Sequence, residues 1–187
     1  MCIRDSANPD RFCAGIAASR DKNDGNGLYT HIRDNFIKLQ AAVKAGPDYK
    51  KDRDEAIGAI KHFWEKAHFA TVVYFCNQAA DILVKPNPSD AEKAKALHAL
   101  SASVGCIHGW RSLPNGHKMM AEHLIDDMLL QLNAPAEDAA SIWLFATDPA
   151  NRIPKLYEII KTIEDIYGFT PDEMRDFKEN WVDKQNR

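Results

Sequence analysis

The chain has 187 residues, 45% of them hydrophobic, and a formal net charge of −3. That is enough apolar residue for one domain with a real core, and the slight acidity argues against a general nucleic-acid binder, whose footprint is basic. No run approaches the ~18 uncharged apolar residues that a membrane span requires.

The first six residues, Met1-Cys2-Ile3-Arg4-Asp5-Ser6, lack the apolar stretch of a signal peptide. They are the translation of a transposon-end sequencing adapter and are read as a scar (1–6), with the native chain starting, truncated, near Ala7. On that reading the absence of a leader says nothing about localisation. Residues 7–27 are weakly patterned: Asn8-Pro9-Asp10 opens a short helix and Asp21 to Gly27 is a polar loop. A helical bundle is expected over 28–187.

Leu28, Ile32, Phe36, Leu39 and Val43 repeat at helical spacing up to a stop at Gly46-Pro47. Tyr49 to Val84 then contains no proline and reads as one helix of ~50 Å. Ile57, Ile60, Trp64, Ala67, Thr71, Tyr74 and Ile82 mark a face on it. Pro86-Asn87-Pro88 ends this helix, and Ser89 with Glu92 forms a capping box for the next. That helix carries Ala91, Ala94, Leu97, Leu100, Val104 and Ile107. The short connection predicts antiparallel packing, with the face from Ile57 to Tyr74 turned to Ala91–Ile107. Ile57, Ile60, Trp64, Thr71, Tyr74, Leu97, Leu100 and Val104 are the expected core.

Further helices are expected over Met120–Leu132, over the segment Ala136–Phe145 opened by Pro135, and from Thr147 or Asp148, with Pro154 moving that start to about Ile153. Thr170-Pro171-Asp172-Glu173 is a second strong helix start. No segment shows a period of two. The fold class is all-α.

Two of the cysteines beyond the scar, Cys76 and Cys106, fall in apolar helical segments, where a free thiol behaves as a small hydrophobe. No pair, Cys13 included, is spaced as CxxC, and the redox state of all three stays open.

The strongest candidate for chemistry is His62, Glu65 and His68, which spread over ~120° of one helix. Glu65-x-x-His68 is half of what a di-iron carboxylate bundle uses, but no second Glu-x-x-His occurs. The plain reading is a polar face on an amphipathic helix; metal binding, by iron or another divalent ion, is the alternative. HExxH, GxSxG and P-loop patterns are absent, and Gly25-Asn26-Gly27 is a loop. Phe63, Trp64, Phe69, Tyr74 and Phe75 read as core. His98, His108, His117 and His123 read as surface or capping residues.

Trp64-Glu65, Ala70-Thr71-Val72, Tyr74 and Asn77, followed by His98-Ala99-Leu100-Ser101 and Gly105, resemble the DUF4856 family. Ile32, Phe36-Ile37-Lys38 and Ala41-Ala42 extend the likeness, which covers about Leu28 to Ile107 and matches the C-terminal part of such proteins. The resemblance implies an imelysin-like antiparallel helical bundle, present here as a partial domain. It implies a non-enzymatic bacterial envelope protein, periplasmic or an outer-membrane lipoprotein, tied to iron or nutrient acquisition. Its partners would be the missing N-terminal half of its own domain and an envelope protein. The wider superfamily carries Gly-x-His-x-x-Glu; here Gly58 stands four residues before His62. The competing readings are a metal-dependent hydrolase or peptidase using His62 and Glu65, and a plain helical interaction scaffold. Truncation would leave an apolar patch around Phe63, Phe69, Val73 and Phe75, or along Leu28 to Val43.

Overall fold

In the computed structural model, residues 13–186 are described, and the expectations for Met1–Ser6, the Asn8-Pro9-Asp10 helix start and the Cys13 thiol lie outside this description. The described residues are 75% helix, with no strand among them. It divides into two compact units, residues 1–68 with 179–187 and residues 69–178.

The first unit begins with α1 (Cys13–Ser19), which buries Ala14, Ala17 and Ala18 and packs against α2 (Leu28–Ala45) and α9 (Trp181–Gln185). The loop before α2 is organised by one side chain. Asp21, 1% exposed, accepts from the backbone N–H of Asn23 at 2.6 Å through Oδ1 and from that of Thr30 at 2.7 Å through Oδ2. Gly27 occupies the N-cap position and has no side chain to cap with. The orphan amide at the third residue of α2 is therefore satisfied from nine residues upstream. A Cβ at Gly27 would run into the Asp21 carboxylate, so a side chain there is excluded by close approach. The loop is also tied to α9: Gln185 Nε2 donates to the Lys22 carbonyl at 2.8 Å, and Lys22 and Lys184 both lie over the Trp181 ring.

α2 ends at Gly46, whose φ of +100° is one that L side chains rarely adopt. A turn at Pro47–Tyr49 leads into α3 (Lys50–Leu83). Its 34 residues match the long helix read over Tyr49–Val84. The part of α3 up to His68 belongs to the first unit and the remainder to the second.

In the second unit, Phe69, Ala70, Thr71, Val72 and Val73 are all buried in succession, followed by Cys76, Asn77, Ala79, Ala80 and Leu83. The next helix, α4 (Asp90–Arg111), is started by the predicted capping box. Ser89 Oγ accepts from Glu92 N at 3.3 Å, and Glu92 accepts from Ser89 N at 2.9 Å. Phe69 meets Trp110 edge-on at 6.0 Å between centroids, and Cys76 Sγ lies 3.9 Å from Ser103 Oγ. Going up α3 goes down α4, so within this unit the two pack antiparallel. The contacts, however, are made by Phe69 and Cys76, which lie on a different stripe from Thr71 and Tyr74. Residues 69–73 are buried all round, Thr71 included, so periodicity alone does not select the side that meets α4. Thr71 and Leu100 are buried, whereas Ile57, Ile60, Trp64, Tyr74, Leu97 and Val104 are half-buried.

α5 (Glu122–Gln131) packs against α4 and α7 (Pro149–Tyr167), and the single turn α6 (Leu144–Thr147) packs against the same two. The expected helix over Ala136–Phe145 is replaced by turns up to α6. Pro135 is followed by no side-chain cap, and this stretch has no apolar stripe to bury. α7 starts at Pro149 rather than near Ile153 and runs through Pro154. Pro149 supplies a preset φ at the first position, and burial of Ile153, Leu156, Ile159 and Ile163 holds the helix across the second proline. Gly168 closes α7 at φ +60°, and Thr170 with Glu173 builds the second predicted capping box, for α8 (Pro171–Asp176). Phe69 stacks on Tyr167 at 5.4 Å, Tyr167 meets Phe169 at 5.6 Å, and Phe169 meets Phe177 at 4.8 Å. This row of rings is the centre of the unit's core.

The apolar patch expected on α3 is not formed. Phe69 and Val73 are fully buried, Phe63 is half-buried against His31, and Phe75 is half-buried beside Tyr74. On α2 the outer side does expose apolar residues: Ile37 and Val43 are 58% and 61% exposed.

Candidate functional site

His62, Glu65 and His68 lie on the part of α3 that belongs to the first unit. Glu65 is buried at 2% exposure, and both histidines are half-buried. His62 sits edge-on to Phe63 at 5.3 Å, and Phe63 stacks on His31 of α2 at 4.4 Å. Burial lowers the His62 pKa below its ordinary value, the Lys66 cation lowers it further, and Glu65 partly opposes both. Among the described residues, no three His, Cys, Asp or Glu side chains gather where they could hold a metal ion. His62 and His68 are ~9 Å apart along the helix axis and ~120° apart around it, with Glu65 midway between them. An iron or zinc centre needs several ligands on one point, and such a group is not formed by these three among the described residues.

A different site emerges where α2 and α3 flank the turn at Pro47–Tyr49. A cleft of about 570 Å³ opens between them. Ala42 and Ala56 are buried in its floor, and Ala41, Ala45 and Ala59 widen it because none carries more than a methyl group. Asn35 is 8% exposed and lines the inner end. Its Nδ2 donates to the His31 carbonyl at 2.8 Å, which fixes the amide's orientation, since only the nitrogen can donate. The Asn35 Oδ1 accepts from no described residue. Charged and phenolic groups stand on the edges: Lys38 on α2, Asp52 and Glu55 on α3, and Tyr49 at the turn. The Lys38 and Asp52 side chains pair with no described residue, and Glu55 meets only the exposed Lys51, at 3.7 Å.

Sequence reading did not find this cleft. Its signals were present as paired small residues, Ala41-Ala42 with Ala45 and Ala56 with Ala59, on either side of a Gly-Pro turn. A polar Asn35 between Ile32 and Leu39 was a further one.

No protein-family model matches the chain. No curated protein matches it either. No solved structure matches it.

Proposed function

We propose that this protein is a non-enzymatic component of the bacterial cell envelope, of the imelysin-like type, which works by binding and takes part in nutrient or iron acquisition. The observation that carries the binding role is the α2–α3 cleft. Its volume is that of a small-ligand pocket, and its floor is apolar with polar groups at the edges. Asn35, Lys38, Tyr49, Asp52 and Glu55 supply the polar contacts by which such a pocket orients a ligand. The envelope assignment is supported by the resemblance of Trp64-Glu65, Ala70-Thr71-Val72 and His98-Ala99-Leu100-Ser101 to envelope proteins.

The binding role is tested by thermal-shift screening against amino acids, peptides, sugars, haem and ferric chelates. At least one class should raise the Tm of the wild type and leave that of Ala41→Trp, which fills the cleft from an exposed position, unchanged. A screen without any such class overturns the cleft as a binding site. Fractionation of cells that carry the gene tests the location, and recovery with cytosolic markers overturns it.

A further inference from the structure

We propose that the α2–α3 cleft takes a short peptide with free termini, lying along the cleft with its carboxylate toward Lys38 and its ammonium toward Asp52. This rests on the binding role just proposed and adds the chemical class of the ligand.

The argument begins with charge placement. Lys38 stands two turns back from the end of α2, near Asn35, while Asp52 stands in the first turn of α3, beside the end of α2. Lys38 therefore stands toward one end of the groove and Asp52 toward the other, with Glu55 one turn along α3 from Asp52, between the two. Neither Lys38 nor Asp52 has a charge partner among the described residues. A purely anionic or purely cationic ligand would satisfy one end and oppose the other, whereas a dipolar ligand matches both.

Length follows from helix geometry. From Lys38 to Ala45 at the end of α2 is seven residues, a rise of ~10 Å. An extended chain of three residues spans ~10 Å. A single amino acid is too short to reach both ends. Between them, the alanine floor leaves room for the ligand's apolar side chains. The Asn35 Oδ1 provides an acceptor for a peptide N–H, a group that costs free energy if it is buried without a partner. Tyr49, half exposed at the turn, offers a hydroxyl at the ammonium end.

Isothermal titration calorimetry of the full chain with trileucine tests this, with N-acetyl-trileucine amide as the uncharged control. Free trileucine should bind one to one, and the capped form should bind about tenfold more weakly or not at all. Lys38→Gln and Asp52→Asn, both at exposed positions, should each weaken trileucine about two- to fivefold without altering Tm. Equal binding of the free and capped peptides overturns the dipolar assignment, as does an unchanged affinity in both variants. Absence of trileucine binding at millimolar concentration overturns the peptide assignment. The binding role then fails too only if no class in the thermal-shift screen acts through the cleft.

Discussion

Asp21 caps a helix it does not belong to: its Oδ2 accepts the Thr30 N–H at 2.7 Å, across the loop that separates it from α2. Its other oxygen holds Asn23, so a single carboxylate sets both the loop and the helix start. Asp21→Ala removes both bonds at a buried position and should cost about 1–2 kcal/mol in urea unfolding. Gly27→Ala should destabilise as well, because its methyl group would displace that carboxylate. A loss below about 0.5 kcal/mol for both variants would show that α2 does not depend on this cap.

Phe69 is fully buried between Trp110 and Tyr167, whereas Trp64, one turn and a residue earlier, is half-buried. Phe69→Ala should therefore cost about 3–5 kcal/mol and Trp64→Ala less, despite the larger ring lost. Equilibrium denaturation of the two variants checks the order, and the reverse ranking would mean that the core of α3 has been placed on the wrong residues.

His62 should make stability depend on pH. Its folded pKa lies below the unfolded value of about 6.5, so the unfolded chain binds the extra proton first as pH falls. The His62 contribution is fully present above that value and is lost on acidification through it. Between pH 7.5 and 5.5, Tm should fall more steeply in the wild type than in His62→Gln. Parallel slopes would refute the shift.

The two described thiols should be inert in the native state. Burial pushes Cys76 up to about 12 and Cys106 up to about 11, with the Ser103 hydroxyl only partly offsetting the former. At pH 8 their thiolate fractions would be on the order of 10⁻⁴ and 10⁻³. Iodoacetamide labelling followed by peptide mapping should modify both in urea and neither in buffer within minutes. Rapid native labelling of Cys76 would show that the α3–α4 contact opens readily.

Local signals carried most of the helix map. Both capping boxes, Ser89 with Glu92 and Thr170 with Glu173, were legible because a cap is a matter of residues three apart. The long helix was legible because nothing in it breaks one. The side of α3 that meets α4 was not, since the run Phe69–Val73 holds no charged residue and is buried throughout. Asp21 was missed as the cap of α2 because its partner is nine residues away across a loop. The cleft was missed for a similar reason. Alanines read as good helix formers, and only the pairing of two helices turns them into an opening. His62, Glu65 and His68 drew attention by type, but a metal site also needs ligands from facing helices, and spacing along one helix does not tell whether these are supplied.

Phe69 also joins neighbours that are reached on different schedules. Trp110 is delivered by the adjoining helix after a short connection, so that contact needs little loop closure. Tyr167 arrives from far along the chain, and the entropy of closing that much longer loop must be overcome before the rings can stack. Refolding of the second unit should therefore establish the α3–α4 register first and complete the row of rings last. On that order Phe69 would be where the early and the late contacts of the unit meet, which stopped-flow refolding of Trp110→Phe and Tyr167→Leu variants checks by which one slows folding.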